Sequence, residues 1–369
     1  MTLILSNDDV TKLLTMRDCI DVLEDVYVEL AHGRGVNRVR SDCLVPSGHS
    51  RPKDGGATLA YEDALYSLKS MDGVIPKLGV GAVRIDSDIV TWPKQGNNMR
   101  RVKVPAAPGG RYVGLVLLFS SHTGEPLAIM PDGVMQRIRV GAANGLGVKY
   151  LARQNASSVG ILGSGWQAGA QLMAVCAVRD IKAIRCFSPD RDRREAFSRE
   201  MSGTLGIDVV PVPQPEDALG GADIALCATN SIDNVFFERW IEPGMHVSSI
   251  KITEIELAAI RRADRLVLHT HDDKPLHVTT AGLDVAERNS NKGWTLGAGI
   301  DFARTPTLPE VIARQTPVRE TEAEVTCFIN NLGLGYQFAA AGSVVYRKAK
   351  EAGLGHDLPT DWFTQDVHP

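Results

Sequence analysis

The sequence contains few cysteines, no long hydrophobic run and no strong excess of charge. No apolar stretch reaches the length of a membrane span, and the N-terminus lacks the basic and apolar regions of a signal peptide. The formal net charge of −4 predicts neither a nucleic-acid partner nor a membrane-surface partner. The cysteines show no Cys-x-x-Cys spacing and lie mostly in apolar runs: Cys19, Cys43, Cys176, Cys186, Cys227 and Cys327. We therefore expect reduced thiols and a cytoplasmic protein.

Common catalytic and metal-binding signatures are also missing. There is no Gly-x-Ser-x-Gly nucleophile elbow, and no cysteine–histidine pairing stands out, so Cys327 is predicted to be a core residue. One polar cluster invites a metal interpretation, because His-x-His lies on one face of a predicted strand and carboxylates follow it. Without a further ligand set, a polar strand end near a cleft is favoured and no metal is predicted. The cluster consists of His269, His271, Asp272, Asp273 and His277.

The clearest positive feature is a glycine turn between two predicted strands. The apolar run Val159–Leu162 predicts a buried parallel strand, a helix is predicted from residue 167, and a second strand follows at Ala183–Phe187. Small residues between strand and helix have the spacing Gly-x-Gly-x-x-Ala, which allows a tight turn and close approach of a pyrophosphate to the helix N-terminus. The turn is therefore predicted to bind a dinucleotide through Gly163, Ser164, Gly165, Trp166, Gln167 and Ala168.

The end of the second strand bears on the choice of cofactor. An acidic residue there binds the ribose 2′-hydroxyl of NAD, whereas a small polar residue with a nearby arginine suits the 2′-phosphate of NADP. Ser188 with Arg191 favours NADP, and Asp190 would serve NAD if the turn directs it inward. Both cofactors stay open, with a preference for NADP.

Alternating strands and helices continue to about residue 269 and predict a doubly wound parallel sheet of the Rossmann type. Ligands of such sheets bind at the carboxyl ends of the strands, which brings further polar residues to the cofactor cleft: Thr229, Asn230, Ser231 and Ser249. The chain of 369 residues can form two domains. We expect an NAD(P)-binding domain at 154–321 and a second α+β domain built from 1–153 and 322–369.

The leading segment supplies candidate anion-binding residues. Arg40 and Arg139 lie beside apolar runs, and a guanidinium binds a carboxylate with two parallel bonds, although salt bridges would explain the spacing equally well. Arg84 lies on a predicted strand at Leu78–Ile89. The following segment, Trp92–Arg111, is rich in proline, glycine and cations, and it forms either a solvated hairpin or a lid that attracts anions.

Two paired motifs connect these features with a known family. The run Arg139-Val-Gly-Ala-Ala-Asn-Gly-Leu-Gly, followed by Val-Gly-Ile-Leu-Gly-Ser-Gly, resembles the ornithine cyclodeaminase/mu-crystallin family. Pro243-Gly-Met-His-Val and Asn331-Leu-Gly-Leu-Gly are also similar, and the likeness extends from Leu3 to about Gly355. It implies a central Rossmann domain, a substrate-binding and dimerisation domain built from both chain ends, and a homodimer.

The resemblance also implies a reaction. In that family, the positions that match Arg40 and Arg139 hold the substrate carboxylate. A family lysine used for proton transfer or substrate contact is replaced here by Gly81 or Arg84, and the aspartate that cyclodeaminases use is absent from the segment 250–253. The proton donor is left open between Lys77, Lys103, Asp86 and water.

These observations predict an NAD(P)-dependent oxidoreductase for an α-amino or α-imino acid, with hydride transfer at the substrate Cα. Arg40 and Arg139 would fix the carboxylate, and Arg84 would add charge or bind a second anionic group. Two alternatives stay open. One is an ornithine cyclodeaminase-type ammonia lyase, and the other is a non-catalytic, crystallin-like protein that binds NADPH.

Overall fold

The computed structural model describes most of the chain, namely residues 1–47, 64–92, 94–95, 98–99, 101–106, 109–272, 275–283, 300–301, 303–314 and 318–367. Within them the backbone forms two large β-sheets with helices packed against both. None of the described helices is long and apolar enough to cross a membrane. Part of the predicted segment Trp92–Arg111 lies outside the described residues.

The helices and strands follow one another along the chain. The described helices are α1 (Asn7–Leu13), α2 (Met16–Ala31), α3 (Gly133–Leu151), α4 (Trp166–Val178), α5 (Arg191–Leu205), α6 (Pro215–Leu219), α7 (Leu257–Arg262), α8 (Leu308–Ala313) and α9 (Gly335–Ala352). The described strands are β1 (Thr2–Ile4), β2 (Val36–Asn37), β3 (Ser41–Pro46), β4 (Leu65–Ile75), β5 (Val80–Thr91), β6 (Lys94–Gln95), β7 (Asn98–Met99), β8 (Val102–Val104), β9 (Val113–Ser120), β10 (Pro126–Pro131), β11 (Ser158–Leu162), β12 (Ala183–Phe187), β13 (Val209–Pro211), β14 (Ile224–Cys227), β15 (His246–Ser249), β16 (Arg265–Leu268), β17 (Leu276–Thr279), β18 (Thr326–Ile329) and β19 (His356–Leu358).

One sheet is the predicted doubly wound parallel sheet. Its order is β13-β12-β11-β14-β15-β18-β16, and all of its strand pairs are parallel. The strand order reverses at β11, where β12 lies on one side and β14 on the other. The glycine turn follows β11 and therefore lies where ligands bind in such sheets. The predicted fold class is confirmed.

The sheet differs from the predicted segment boundaries at two places. β18 lies between β15 and β16, although it falls after the predicted end of the nucleotide-binding segment at residue 321. β17 falls inside that segment but pairs with β3 of the other sheet. β18 is fully buried between two strands of the parallel sheet, whereas β17 is largely exposed and lies at the edge of the other sheet. Position in the sequence reveals neither pairing.

The second sheet carries the long hairpin of β4 and β5, which pair along their whole length from Leu65 to Ile75. The strand β4 is not predicted from the sequence. Its inward-facing positions include the polar Ser67 and Lys69, while Leu68 faces outward and is partly exposed. The usual alternation of apolar inward and polar outward residues is therefore lost.

Helix α3 packs against elements of both sheets, and its small residues allow close contact. A Cβ atom at Gly141 would lie 2.6 Å from the backbone oxygen of Ala170, and one at Gly145 would lie 3.0 Å from the Cβ of Ala174. Glycine at these positions lets α3 pack closely against α4, which begins at the glycine turn. This packing fixes Arg139 on α3 relative to the nucleotide-binding sheet.

Candidate active site

The turn after β11 has the geometry of a dinucleotide site. Gly163 has a φ of 120°, and a Cβ atom there would lie 2.3 Å from the backbone oxygen of Ala228. Gly165 has open space where its side chain would be, and it precedes α4 without a side-chain cap. The first N–H groups of α4 are thus free of a side-chain acceptor and can bind a pyrophosphate. These residues fit a nicotinamide dinucleotide.

A cavity of about 420 Å³ opens beside this turn. Trp166 and Gln167 of the turn share its wall with Arg40, Arg84 and Arg139, so the structure brings the predicted cofactor and substrate residues together. Among the described residues, six cations and two carboxylates line the cavity. The cations are Arg40, Lys69, Arg84, Arg101, Lys103 and Arg139, and the carboxylates are Asp86 and Asp132. This excess of positive charge suits an anionic substrate.

Arg139 lies at the buried end of the cavity with a defined orientation. Its Nε and Nη2 donate to Oε1 of Gln136 at 3.2 and 2.6 Å, and its Nη1 donates to Oε1 of Gln337 at 2.8 Å. Among the described residues no carboxylate lies within ion-pair distance of it. Burial, reinforced by the charge of Arg84, lowers the pKa of Arg139 to about 9, so the guanidinium stays charged at neutral pH.

The other two predicted arginines are already paired. Arg84 donates through Nε and Nη2 to one oxygen of Asp132 at 2.7 and 2.6 Å, and its Nη2 lies 3.1 Å from Asp86. Arg40 donates to Asp42 at 3.0 Å, while its buried Nε has no partner among the described residues. A carboxylate would therefore meet an occupied guanidinium at Arg84 and a less occupied one at Arg40.

Lys69 lies in the cavity wall on β4 and was not predicted from the sequence as a site residue. Its Nζ donates to Asp88 at 2.8 Å and to Asp86 at 3.2 Å, and its side chain is 5% exposed. Lys103 binds the same two carboxylates at 2.7 and 3.0 Å. Burial lowers the pKa of Lys69, and the charges of Arg101 and Lys103 act in the same direction. The sequence around Lys69 gives no periodic sign of this role, because the run Leu65–Ile75 lacks the alternation of a half-buried strand.

The predicted proton donors lie in different environments. Lys77 is outside the cavity, where its Nζ contacts Asp25 at 2.5 Å in a largely exposed ion pair. Although burial opposes its ionisation, the charges of Arg84, Lys69 and Lys103 hold the pKa of Asp86 well below its ordinary value. Asp86 is therefore a carboxylate without a proton at neutral pH. Lys103 reaches the cavity and is partly exposed.

The loops after β14 and β15 are fixed by a buried carboxylate that sequence analysis did not identify. Glu254 accepts from the backbone N–H and the hydroxyl of Thr229 at 2.6 and 2.7 Å, and burial raises its pKa. Lys251 donates to the backbone oxygen of Ser231. Asn230 is exposed, and the buried Ser249 hydroxyl has no hydrogen-bond partner among the described residues. These contacts hold the predicted polar residues at the carboxyl edge of the sheet.

At the end of β12 the acidic residue is engaged by the next helix. Asp190 accepts from the backbone N–H of Arg193 at 3.0 Å and caps α5. Arg191 pairs with Glu195 at 2.8 Å and is largely exposed. Arg194 is nearly buried and donates to the backbone oxygen of Ser188 at 2.5 Å. Guanidinium groups therefore surround the strand end, while its carboxylate faces the helix.

The histidines of the predicted polar cluster have separate partners. His269 is buried between the hydroxyl of Tyr27 and the backbone oxygen of Leu332, and His271 contacts the backbone oxygen of Thr305. His277 lies 3.6 Å from Asp42 of β3. No group of three His, Cys, Asp or Glu side chains suited to a metal occurs within the described ranges, while residue 273 lies outside them.

Two buried histidines predict a loss of stability in mild acid. Burial lowers the pKa of His269 to about 4 and that of His246 to about 3, from an ordinary value of 6.5. Below pH 6.5 these histidines bind protons in the unfolded chain but not in the folded protein, so the free energy of unfolding falls as the pH falls. Between pH 7 and 5 each histidine contributes a loss of about 2 kcal/mol. Urea unfolding of the wild type and of His269→Gln checks this, since the variant should show a smaller pH slope; equal slopes would contradict the assignment.

Enzymes that exchange a hydride between a nicotinamide and a small acid place the substrate beside such a glycine turn. This chain is an NAD(P)-dependent oxidoreductase. A sequence model of the ornithine cyclodeaminase/mu-crystallin family matches residues 105–353, more than half of the chain, and the chain belongs to that family. The predicted family is thereby confirmed.

Individual relatives agree with this assignment. A Delta(1)-pyrroline-2-carboxylate reductase of Bacillus cereus is 26% identical over 292 residues, which cover 77% of this chain and 83% of the relative. The structure of the Thermococcus litoralis Delta(1)-pyrroline-2-carboxylate reductase in complex with NADH and L-proline matches with a TM-score of 0.73 and 24% identity, covering 97% of this chain and 100% of that chain. An archaeal alanine dehydrogenase dimer with bound NAD matches with a TM-score of 0.71 and 24% identity, covering 97% and 99%. The two structural likenesses show the fold.

Proposed function

We propose that this protein reduces a small α-imino acid to the corresponding α-amino acid with NAD(P)H. The observation that carries the proposal is the buried guanidinium of Arg139, which shares a cavity with Trp166 and Gln167 of the glycine turn and pairs with no carboxylate in the part of the chain that the structure describes. The Bacillus cereus relative supports Delta(1)-pyrroline-2-carboxylate as the first substrate to test.

In this proposal Arg139 binds the substrate carboxylate, and Arg40 assists from the mouth of the cavity. Three of the five guanidinium N–H groups of Arg139 are used by Gln136 and Gln337, which leaves two for a carboxylate. Arg84 is held by Asp132, so we assign it a supporting role in shaping the wall rather than the predicted binding of a second anion. Fixing the carboxylate orients the Cα for reaction.

Lys69 is proposed as the proton donor. A nicotinamide held at the glycine turn would supply the hydride to the imine carbon. The electron pair of the C=N bond then moves to nitrogen, which takes a proton from the Lys69 ammonium. Asp86 and Asp88 keep that ammonium in place in the wall, while burial lowers its pKa towards the range useful for proton transfer. Lys69 on β4 would thus take the role of the family lysine that is absent from β5.

We further propose NADP as the preferred cofactor. Asp190 caps α5 and is thereby engaged away from a ribose diol, whereas Ser188, Arg191 and Arg194 offer a hydroxyl and two guanidinium groups to a 2′-phosphate. The predicted turn contacts would hold the pyrophosphate, and Thr229, Asn230, Ser231 and Ser249 would line the nicotinamide side.

The assembly and location are proposals as well. We propose a homodimer, because the outward face of the second sheet exposes apolar side chains with 39–45% exposure: Leu68, Val74, Val113 and Leu115. Such a face is suited to a second copy. The substrate-binding and dimerisation domain would comprise 1–153 and the chain end, and the nucleotide-binding domain would run from 154 through β18. We place the protein in the cytoplasm.

The function is tested by following the absorbance of reduced nicotinamide with Delta(1)-pyrroline-2-carboxylate. We expect turnover with both cofactors and a kcat/KM at least about tenfold higher with NADPH than with NADH, because a phosphate adds charge-assisted bonds to arginine. Equal or reversed values would contradict the NADP assignment alone.

The same assay separates the two alternative functions. A lyase would release ammonia from ornithine without net consumption of NADPH, and a binding protein would bind NADPH tightly without turnover of any imino acid. The segment 250–253 lacks the aspartate that cyclodeaminases use, and this difference supports the reductase over the lyase. Ammonia release from ornithine at constant NADPH would overturn the proposed reduction.

A further inference from the structure

Four polar side chains from distant parts of the chain form one buried line that ends at Arg139. Arg139 Nη1 donates to Gln337 Oε1 at 2.8 Å, and Gln337 Nε2 donates to the Tyr27 hydroxyl at 3.0 Å. The Tyr27 oxygen lies 2.7 Å from His269 Nε2, and His269 Nδ1 lies 2.6 Å from the backbone oxygen of Leu332. The four side chains are at most 4% exposed. They come from α3, α9, α2 and the end of β16.

The direction of every hydrogen bond in this line is determined. The Leu332 carbonyl can only accept, so His269 carries its proton on Nδ1 and accepts at Nε2. Burial lowers the pKa of His269 to about 4, which keeps the ring neutral near pH 7. Tyr27 therefore donates to His269 and accepts from the amide of Gln337, whose oxygen is left facing Arg139.

A second contact fixes the amide independently. The backbone N–H of Leu334 also donates to Oε1 of Gln337, at 3.1 Å. If the amide were rotated by half a turn, its NH₂ group would face two donors, Arg139 and this N–H. The unrotated amide satisfies Arg139, Leu334 and Tyr27 together. These three contacts fix the orientation of the Gln337 amide, and the amide in turn fixes the Arg139 guanidinium.

The surroundings of the guanidinium leave it little freedom. Gln136 accepts from its Nε edge, and the Phe338 ring lies with its centroid 4.9 Å from Cζ. At Gly333, a Cβ atom would lie 2.2 Å from Nη1. Only glycine there leaves space for the guanidinium in this position. Two amides and one ring thus hold the group, and its two remaining N–H groups are available to the cavity.

We propose that Gln337, Tyr27 and His269 are positioning residues that set the Arg139 guanidinium for a bidentate bond with the substrate carboxylate. This inference rests on the proposed function, because it assumes that Arg139 binds a carboxylate. None of the three is among the described residues that line the cavity, and each acts through the side chain next to it. They would serve binding in the ground state and the transition state alike, so their loss raises KM and changes kcat little.

The decisive variant is Tyr27→Phe, which removes one oxygen from the line. We expect the KM for Delta(1)-pyrroline-2-carboxylate to rise about tenfold, since a small misplacement of an anchoring group weakens a bidentate bond, while kcat stays within about twofold. The affinity for NADPH, measured by protein fluorescence, should be unchanged. Gln337→Leu should raise KM at least as much, because Arg139 then loses its direct partner.

Tyr336→Phe is the matched control. Tyr336 is also fully buried, and its hydroxyl donates to the backbone oxygen of Val26 at 3.0 Å without contacting Arg139. It should lose thermal stability to a similar degree as Tyr27→Phe and keep the wild-type KM. A wild-type KM in Tyr27→Phe, or an equal rise in both tyrosine variants, would overturn the proposal.

A crystallographic readout tests the positioning without any turnover. Crystal structures of wild type, Tyr27→Phe and Gln337→Leu should show the Arg139 guanidinium rotated or spread over several positions in the two variants alone. An unmoved guanidinium in both would overturn the proposal. Failure of the proposed function gives a different result, namely a wild type that turns over no imino acid while the variant structures still show the displaced guanidinium.

Discussion

Replacing Arg139 by alanine should lower kcat/KM for Delta(1)-pyrroline-2-carboxylate by about a thousandfold. A carboxylate that loses two charge-assisted hydrogen bonds loses several kcal/mol of binding, and about 1.4 kcal/mol corresponds to a factor of ten. Among the described residues Arg84 and Arg40 already have carboxylate partners, so neither of these two neighbours is free to replace Arg139. Steady-state kinetics with saturating NADPH measure the loss.

Two further variants sharpen this experiment. Arg139→Lys keeps the charge but not the planar fork, so it should recover only part of the activity. Arg347→Ala is a matched control, because Arg347 forms an exposed pair with Glu351 on the outer part of α9. All three should bind NADPH like the wild type. A loss of less than fivefold in Arg139→Ala, with NADPH binding intact, would remove the assignment of the carboxylate to this residue.

The variant Gly333→Ala tests the position of the Arg139 guanidinium without changing Arg139 itself. The added methyl group would lie 2.2 Å from Nη1, so Arg139 must move away from its two amide partners. We expect a raised KM in this variant even though every charged residue of the cavity is retained. A wild-type KM would show that the guanidinium position is less important for binding than its charge.

Replacing Lys69 by methionine should lower kcat by about a hundredfold, which is the usual contribution of a positioned general acid. The side chain keeps its length but loses the proton and the charge. In the wild type, activity should fall as the pH rises through the lowered pKa of Lys69, because the ammonium is the active form. The groups that face it are Asp86 and Asp88 of β5, with Lys103 and Arg101 nearby.

Loss of a buried cation can unfold a protein, so a second variant is required. Lys69→Arg keeps the charge beside Asp86 and Asp88 but cannot donate a proton near neutral pH. It should remain folded and bind NADPH. Its activity should not fall over the pH range in which the wild type loses activity. Lys77→Met, in an exposed pair with Asp25, controls for the loss of a lysine. An unchanged pH profile in Lys69→Arg would exclude Lys69 as the proton donor.

The parts of the fold that depend on local pattern were predictable. The strand at Ala183–Phe187 has the predicted bounds, because its apolar residues Ile184 and Cys186 are buried in the core beneath the sheet. β4 was not predicted, because it turns Ser67 and Lys69 inward to a polar cavity and so lacks an apolar face. A strand that builds an active site departs from the pattern that identifies strands, and Lys69 was missed with it.

The candidate site divides in the same way. The glycine turn is one continuous motif, and its position between β11 and α4 could be predicted from spacing alone. Arg139 was identified, but its orientation depends on Tyr27, Gln337 and His269, and the hydrogen bond between Tyr27 and His269 joins residues 242 positions apart. Buried pairs at such separations arise from tertiary packing, and no periodicity in one sequence reports them.

The position of β18 constrains how the protein can be made. This strand lies between β15 and β16, and β16 pairs with no other strand of the described sheet. During synthesis, residues 265–268 leave the ribosome well before residues 326–329, so the nascent sheet holds an open edge over that interval. The nucleotide-binding half therefore reaches its final form only after nearly the whole polypeptide has emerged, and folding of the two halves is coupled in time.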